Sequence, residues 1–187
     1  MFEKLATYAG LLIKWQKAIN LVGPLTITDV WRRHMLDSAQ LYPLLPKGAR
    51  TLIDLGSGAG FPGLVLAMMG VPDVHLVESD HRKAAFLSHV SRETNTDITV
   101  HAKRIETMSP MVADVISARA LAPLPKLLGL AERFVGPDSV CLFLKGQDVE
   151  SELTETTKSM KMEVERMPSL TAPSATILRL RGLIDRG

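Results

Sequence analysis

The chain has 187 residues, of which 46% are hydrophobic and 22% charged, and its formal net charge is only +2. These values are typical of a soluble globular domain and do not by themselves indicate a nucleic-acid-binding protein. No apolar run is long enough to cross a membrane, the first ten residues lack the features of a signal peptide, and the single cysteine excludes an internal disulfide. We therefore expect one cytoplasmic domain with no membrane contact.

The positive charge is concentrated near the N-terminus. Residues 1–50 contain seven Lys and Arg but only three acidic residues, so the rest of the chain is slightly acidic. A basic segment on an acidic body is compatible with contact to a polyanion. Lysines that merely keep helix faces solvated explain the same distribution, and charge alone favours that simpler explanation.

The first quarter of the chain predicts a helical cap over residues 1–48. Within 2–19, apolar residues recur every three or four positions, which is typical of an amphipathic helix. Gly23-Pro24 interrupts this pattern. Residues 27–45 are helical again, in one or two pieces, and end before Pro46.

Residues 49–187 predict an α/β core, which together with the cap forms a single domain over 1–187. Apolar, strand-like runs alternate with helical stretches, as expected for a mostly parallel sheet covered on both faces. A last helix and two strands predict an antiparallel hairpin at one sheet edge, which makes seven strands. The predicted strands are 51–55, 74–78, 98–101, 114–118, 139–144, 162–167 and 175–181, and the predicted helices are 62–70, 81–94, 123–135 and 148–159.

The turn after the first strand, residues 54–63, reads DLGSGAGFPG. Glycines crowd a turn when the backbone must adopt a positive φ or approach a ligand closely. In an α/β sheet this turn lies at the edge where ligands bind. Residues 58–63 match the GxGxxG pattern of dinucleotide-binding proteins, and Glu78 follows at the distance expected for a ribose contact. A nicotinamide-dependent dehydrogenase is therefore one interpretation.

Two residues favour S-adenosylmethionine (AdoMet) as the ligand instead. We expect Asp54 at the mouth of the site, where its carboxylate repels a pyrophosphate but attracts the ammonium and sulfonium groups of AdoMet. Pro62 in the first turn of the following helix removes an N–H donor that a phosphate would use. The pattern DxGxGxG over 54–60, followed by Glu78 at the end of the next strand, is typical of class I AdoMet-dependent methyltransferases.

Further motifs narrow the class, and their order and spacing resemble one family over about residues 8–146. These motifs are KWQKAINL (14–21), RRHMLDSAQL (32–41), DLGSGAGFPGLVLA (54–67), RKAAFL (82–87), ISARA (116–120) and FLKG (143–146). Together they are similar to the RsmG (GidB) family of bacterial small-subunit rRNA methyltransferases. The resemblance implies methyl transfer from AdoMet to N7 of one guanine in 16S rRNA. The implied partner is the small ribosomal subunit or its assembly intermediate, and we expect the enzyme to be a monomer.

The same resemblance implies roles for individual residues. It implies that Glu78 binds the ribose, that Ile105 and Glu106 hold the adenine, and that Arg119 lies near both cofactor and substrate. Judged without the family, core packing for Ile105 and a solvated helix start for Glu106 are equally good explanations. The expected cofactor-binding residues are Asp54, Gly56, Gly58, Gly60, Phe61, Glu78, Ile105, Glu106 and Arg119.

The chemistry requires no general base, because N7 of guanine already carries a free lone pair. We therefore expect the chain to accelerate transfer by positioning the reactants. Arg119 and Lys145 are the residues expected at the reacting centre, both in a positioning role. The residues expected to contact RNA are Asn20, Arg33, His34, Arg104 and Lys145.

Other side chains have structural explanations that compete with functional ones. Asp37 shares a helix face with His34 and is better explained as part of an internal hydrogen-bonding cluster, whereas His34 is open to either role. We expect Cys141 in the core and the acidic helix around 148–155 on a solvated face. The histidines show no ligand spacing, so no metal site is expected. A non-catalytic RNA-binding module is the second alternative to the methyltransferase.

Overall fold

The computed structural model describes residues 1–185, which form a seven-stranded sheet flanked by helices. The strand order is β3-β2-β1-β4-β5-β7-β6. Strands β1 to β5 run parallel, while β7 is antiparallel to both β5 and β6. The predicted mostly parallel sheet with an antiparallel C-terminal hairpin is confirmed. The strands are β1 Thr51–Leu55, β2 Asp73–Val77, β3 Thr99–His101, β4 Val115–Arg119, β5 Val140–Lys145, β6 Met160–Pro168 and β7 Thr176–Asp185.

Two hydrophobic clusters cover the two faces of the sheet. Side chains alternate along a strand, so Leu52 packs in one cluster and its neighbour Ile53 in the other. The first cluster includes residues of α1, α3 and α4, and the second includes residues of α5 and α6. The helices are α1 Phe2–Gln16, α2 Asp37–Ala39, α3 Gly63–Met68, α4 His81–Thr94, α5 Leu124–Ala131 and α6 Val149–Ser159.

The first helix ends at Gln16, three residues earlier than predicted. The Gln16 side chain accepts hydrogen bonds from the backbone N–H groups of Leu21 and Val22 and donates to the Val22 carbonyl. These bonds satisfy backbone groups of a turn and therefore compete with a further helical turn. Periodicity alone could not detect this competition, because Ile19 continues the apolar pattern.

The second predicted helix is divided more finely than expected. The segment consists of a 3₁₀ turn at Pro24–Asp29, a π-helical turn at Trp31–Leu36, the short α2, and a 3₁₀ turn at Tyr42–Leu44. Single π-helical turns occur often beside functional sites, because the wider turn re-aims side chains. Here the π-helical turn carries His34 and leads directly into Asp37.

The predicted strand positions agree with the structure to within a few residues. β2 to β5 are displaced by one residue at one or both ends, and both strands of the C-terminal hairpin are longer than predicted. The predicted helix 123–135 is instead α5 followed by a 3₁₀ turn at Glu132–Phe134. Within residues 1–185, no helix combines the length and the apolar character that crossing a membrane requires.

Candidate active site

The glycine loop after β1 is built from backbone that side chains rarely tolerate. Gly56, Gly58 and Gly60 have φ values of +64°, +57° and +103°. A Cβ atom on Gly60 would approach the Tyr8 hydroxyl to 2.8 Å, so this glycine permits packing of α1 against the loop. A Cβ atom on Gly58 would meet only the Gly56 carbonyl oxygen, at 3.9 Å. Gly58 therefore faces open space, as expected of a residue that lets a ligand approach the backbone.

Two cavities meet at this loop. The larger, of about 420 Å³, lies between the cap, the end of β5 and the loop before β7. The smaller, of about 330 Å³, lies beyond the ends of β2, β3 and β4. Both are lined by Gly56, Gly58, Arg119 and Ala120, so a ligand in one reaches a ligand in the other at this point.

Glu78 closes the base of the smaller cavity. Its Oε2 accepts a hydrogen bond from Gly58 N–H at 2.7 Å, and its Oε1 accepts one from Asp80 N–H at 2.7 Å. The carboxylate thus occupies one loop amide that a pyrophosphate would need. Ile105 and Glu106, from the 3₁₀ turn after β3, line the same cavity, and their contact with the adenine stays a prediction.

Asp54 lies beneath the loop, and the prediction that it stands at the mouth of the site is wrong. The side chain is completely buried and lines neither cavity. Ser117 donates a hydrogen bond to its Oδ1 at 2.7 Å, whereas its Oδ2 has no partner among the described residues. Burial raises the pKa of Asp54 to about 6, although the hydrogen bond from Ser117 opposes this shift. Gly63 makes the burial possible, since a Cβ there would lie 2.7 Å from the Asp54 Cβ.

The Phe61 ring connects the cap to the loop. It stacks with Tyr8 of α1 at a centroid distance of 5.1 Å and with His34 at 5.0 Å. The Arg119 guanidinium carbon lies 4.9 Å from the same ring centroid. Tyr8 is fully buried, and its hydroxyl donates a hydrogen bond to the Ala59 carbonyl. The role of Tyr8 could not be predicted from the sequence, because its apolar spacing is that of any core residue.

His34 is held as a neutral ring with a defined tautomer. The Thr26 hydroxyl donates to the Gly23 carbonyl, so it can only accept at its contact of 2.8 Å with His34 Nε2. Nε2 therefore carries the proton, and Nδ1 is buried without a partner among residues 1–185. Burial, reinforced by Arg119 and Arg33, lowers the pKa of His34 to about 4. His34 is thus buried in a wall of the larger cavity, and its predicted contact with RNA stays a prediction.

Asp37 forms the internal cluster that was expected of it. Its Oδ2 accepts from Arg119 Nη1 at 3.3 Å, and its Oδ1 accepts from the Thr171 hydroxyl and from Gln40 Nε2. Gln40 also accepts from Leu170 N–H, so the loop between β6 and β7 is fastened to the cap. Arg119 additionally donates to the Arg33 carbonyl at 3.2 Å. The cluster consequently fixes the guanidinium where the two cavities meet.

Lys145 is not a free phosphate contact, which corrects the prediction. Its ammonium lies 2.6 Å from Glu152 of α6 and 2.9 Å from the Ala122 carbonyl, and only 9% of its side chain is exposed. Glu152 also accepts from Leu124 N–H at the start of α5. The acidic helix is therefore not simply a solvated face. The Lys145–Glu152 pair instead holds the segment after β4, which includes Ala120.

The remaining predicted RNA contacts are separated in the structure. Arg33 is exposed and lines the larger cavity, whereas Arg104 is exposed and lines the smaller one. Asn20 is exposed in the turn after α1, where its Oδ1 accepts from Gln16, and it lines neither cavity.

Outside the cavities, the remaining predictions concern Cys141 and the histidines. Cys141 is buried in β5 as predicted, and burial raises its pKa to about 12. His75 and His101 pair across neighbouring strands at 2.9 Å. Over the part of the chain that the structure describes, no group of three or more His, Cys, Asp or Glu could hold a metal ion.

The strand order, the glycine loop and the two adjoining cavities define a class I methyltransferase fold. Solved structures with this fold are similar to the chain. The O-methyltransferase from Bacillus cereus in complex with SAH aligns at a TM-score of 0.64 and 14% identity, over 95% of this chain and 91% of that one. The ribosomal protein L11 methylase from Lactobacillus delbrueckii subsp. bulgaricus aligns at a TM-score of 0.62 and 17% identity, over 77% of this chain and 75% of that one. At these identities the likeness concerns the fold alone.

Residues 1–178 match the family described as rRNA small subunit methyltransferase G, GidB, and the chain belongs to this family. It is 60% identical to Ribosomal RNA small subunit methyltransferase G of Paramagnetospirillum magneticum, over 99% of this chain and 90% of the relative. The corresponding protein of Rhodospirillum centenum is 57% identical, over 99% of this chain and 86% of the relative. The prediction of an AdoMet-dependent methyltransferase is thereby confirmed, and the dehydrogenase alternative is not supported.

Proposed function

We propose that the chain transfers the methyl group of AdoMet to N7 of a guanine in 16S rRNA of the small ribosomal subunit. The observation that carries this proposal is the meeting of two cavities at Gly56, Gly58 and Arg119. A donor and an acceptor held in separate cavities need such a junction for direct transfer. The family supplies the substrate class, and the resemblance in motifs supplies N7 of guanine.

At the glycine loop, the smaller cavity fits AdoMet better than a dinucleotide. Gly58 leaves a hollow over the loop, while its amide already donates to Glu78. A diphosphate placed there would lie beside that carboxylate and lose an amide donor. The buried, partly unsatisfied carboxylate of Asp54 adds negative charge below the same loop. A ligand carrying positive charge is favoured at this position.

Each cofactor residue has a role that follows from its position. When bound, AdoMet supplies an electrophilic methyl group on a sulfonium. Gly56, Gly58, Glu78, Ile105 and Glu106 line the smaller cavity and are proposed to contact the cofactor. Asp54, Gly60 and Phe61 support the loop from below or from the cap side.

The larger cavity is proposed to hold the target base. Arg33, Arg119 and Thr171 place polar groups around it, and Leu144 and Ala172 add apolar surface. Because N7 of guanine has a free lone pair, no side chain has to remove a proton. Arg119 and Lys145 are proposed to act by positioning, the first at the junction and the second through the segment after β4.

The cap is proposed to be an integral part of one domain over 1–187, with 1–48 as the cap and 49–187 as the core. Tyr8 supports this, since it bonds the glycine loop from within the cap. We further propose that the protein acts as a monomer in the cytoplasm, on the small subunit or on its assembly intermediate. Both cavities are formed within the single chain, and ribosomal subunits are cytoplasmic.

The proposal is tested by incubating the protein with methyl-labelled AdoMet and small subunits from cells that lack this modification. We expect the label in 16S rRNA at a single guanine. Mild alkaline treatment followed by aniline should cleave the RNA chain at this nucleotide, as it does at 7-methylguanosine. Label at a ring carbon, an exocyclic nitrogen or a ribose would contradict the choice of N7. An absence of label from both naked 16S rRNA and subunits would contradict the function.

A further inference from the structure

The smaller cavity is ringed by cations that form no salt bridge among the described residues, although Glu78 and Glu106 also line it. Lys83, Lys103, Arg104 and Lys126 all line it. Lys103, Arg104 and Lys126 are exposed and Lys83 is half-buried. Among residues 1–185, none of these four side chains takes part in a hydrogen bond or a salt bridge, unlike the neighbouring Arg82, which pairs with Asp80.

The larger cavity shows the opposite pattern. Two of its three Lys and Arg side chains are occupied, since Arg119 pairs with Asp37 and Lys145 with Glu152. Only Arg33 makes no such pair within the described chain. The free positive charge near the active site therefore lies mainly on the cofactor side.

The cofactor does not explain this ring. AdoMet carries a sulfonium and an ammonium group, and its only anion is one carboxylate. Four unpaired cations around it would repel a cationic ligand if they had no other partner. A polyanion supplies that partner, because a nucleic-acid backbone places phosphates at regular spacing and releases counterions when Lys and Arg neutralise them. The ring comes from three different elements, the start of α4, the segment after β3, and α5, so it spans the mouth of the cavity.

Resting on the proposed function, we propose that the backbone of the substrate RNA crosses the mouth of the cofactor cavity and is bound there by Lys83, Lys103, Arg104 and Lys126. The target base enters the larger cavity, while the strand beside it covers the smaller one. AdoMet must then bind before the RNA, and the demethylated cofactor, S-adenosylhomocysteine, must leave after it. The ring is thus both an RNA contact and the cause of an ordered reaction.

The double variant Lys103→Ala/Lys126→Ala tests the contact. We expect its affinity for unmodified small subunits to fall about tenfold at moderate salt and the slope of log affinity against log salt to fall by about two. Its affinity for AdoMet without RNA should not fall, because removing positive charge from the rim does not weaken attraction of a cation. The matched control is Lys47→Ala/Lys161→Ala, two exposed lysines that line neither cavity and should change no measurement.

Release of labelled S-adenosylhomocysteine from the wild-type protein tests the order. We expect unmodified subunits to slow release at least tenfold, and the double variant to lose most of this effect. Equal release rates with and without subunits, or unchanged subunit affinity in the double variant, would overturn the inference. Methylation by the wild type is measured in the same preparation. If the wild type methylates the subunits, either of these results overturns only the RNA contact and the ordered reaction. If the wild type neither methylates nor binds the subunits, the proposed function fails as well.

Discussion

Arg119 at the end of β4 is held by Asp37 of the cap, with 3.3 Å between Nη1 and Oδ2. Only 19% and 13% of the two side chains are exposed, so solvent screens the pair weakly. The same guanidinium lies over the Phe61 ring. A residue of the cap thereby sets the position of a residue that borders both cavities.

Asp37→Ala should therefore impair transfer more than cofactor binding. We expect kcat for subunit methylation to fall 10- to 100-fold. Without Asp37, the Arg119 side chain is no longer fixed in one orientation where the two cavities meet. The AdoMet dissociation constant should change less than threefold by calorimetry. Asp37→Glu should restore part of kcat, and Asp29→Ala, an exposed acid of the cap, serves as control. Equal losses in kcat and in AdoMet affinity would contradict this role.

Tyr8→Phe tests whether the cap shapes the cofactor loop. The variant keeps the stacking on Phe61 but loses the hydrogen bond to the Ala59 carbonyl. Such a bond is worth about 1 kcal/mol, so we expect AdoMet affinity to fall about fivefold. Tyr42→Phe is the matched control, since Tyr42 lines neither of the two cavities. Titration calorimetry on both variants decides, and identical AdoMet affinities would show that Tyr8 serves stability alone.

Gly58→Ala should abolish AdoMet binding while the fold persists. Its new methyl group would enter the open space above the loop, and its φ of +57° adds strain. Gly182→Ala is a close control, because Gly182 has the same φ of +57° and a Cβ atom there would meet nothing within 4 Å. Both variants should lose about 1–2 kcal/mol of unfolding free energy, seen as a lowered Tm. If Gly58→Ala binds AdoMet like the wild type, the loop does not cradle the cofactor.

AdoMet binding should weaken as the pH falls below about 6. Asp54 titrates near that pH in the free protein, and a nearby positive ligand favours its ionised form. Binding then expels a proton at lower pH, so the dissociation constant should rise by up to tenfold per unit from pH 6 to 5. In Asp54→Asn this dependence should be largely absent. The sign is informative, since a neutral or anionic ligand would bind no worse at pH 5.

The stability of the free protein should show the opposite dependence on pH. The pKa of Asp54 is raised in the folded state above its ordinary value of 3.8. Its contribution to stability is therefore fully present below pH 3.8 and is lost as the pH rises through about 6. Comparison of Tm between pH 4.5 and 7 should show a smaller loss for Asp54→Asn than for the wild type. A larger loss in the variant would contradict the raised pKa.

Lys145→Ala should destabilise the protein and leave the salt dependence of RNA binding unchanged. The substitution leaves Glu152 half-buried beside the start of α5 without its cation. Breaking a largely buried pair costs on the order of 3 kcal/mol, which should lower Tm by several degrees. The double variant Lys145→Ala/Glu152→Gln should recover part of this loss. A flattened salt slope for RNA binding would restore Lys145 as a phosphate contact.

The elements that could be predicted from the sequence are those fixed by local pattern. The β1 run, the glycine loop and Glu78 lie within 51–78, where hydrophobic alternation and backbone requirements act over short distances. The sequence placed Asp54 correctly at the end of β1 but did not predict its burial. Periodicity does not show that Gly63 allows α3 to pack directly against Asp54.

The contacts that escaped the sequence join distant segments. Tyr8 reaches Ala59 across 51 positions, and Asp37 reaches Thr171 across 134. Each of these residue types has many common roles, so neither its identity nor its spacing selects a partner. The ion pair of Lys145 was missed for the same reason. Its partner Glu152 lies in a helix that was expected to be solvent-exposed because it is rich in acidic residues.

In the proposed reaction, donor and acceptor occupy the two cavities that meet at Gly56, Gly58 and Arg119. Its most direct test is a crystal structure of the protein with S-adenosylhomocysteine and guanosine 5′-monophosphate. We predict the cofactor beside Glu78 and Ile105, and the guanine in the cavity lined by Thr26 and Thr171 with N7 directed toward the cofactor sulfur. The cofactor in the larger cavity, or a guanine bound away from the junction, would contradict this arrangement of donor and acceptor.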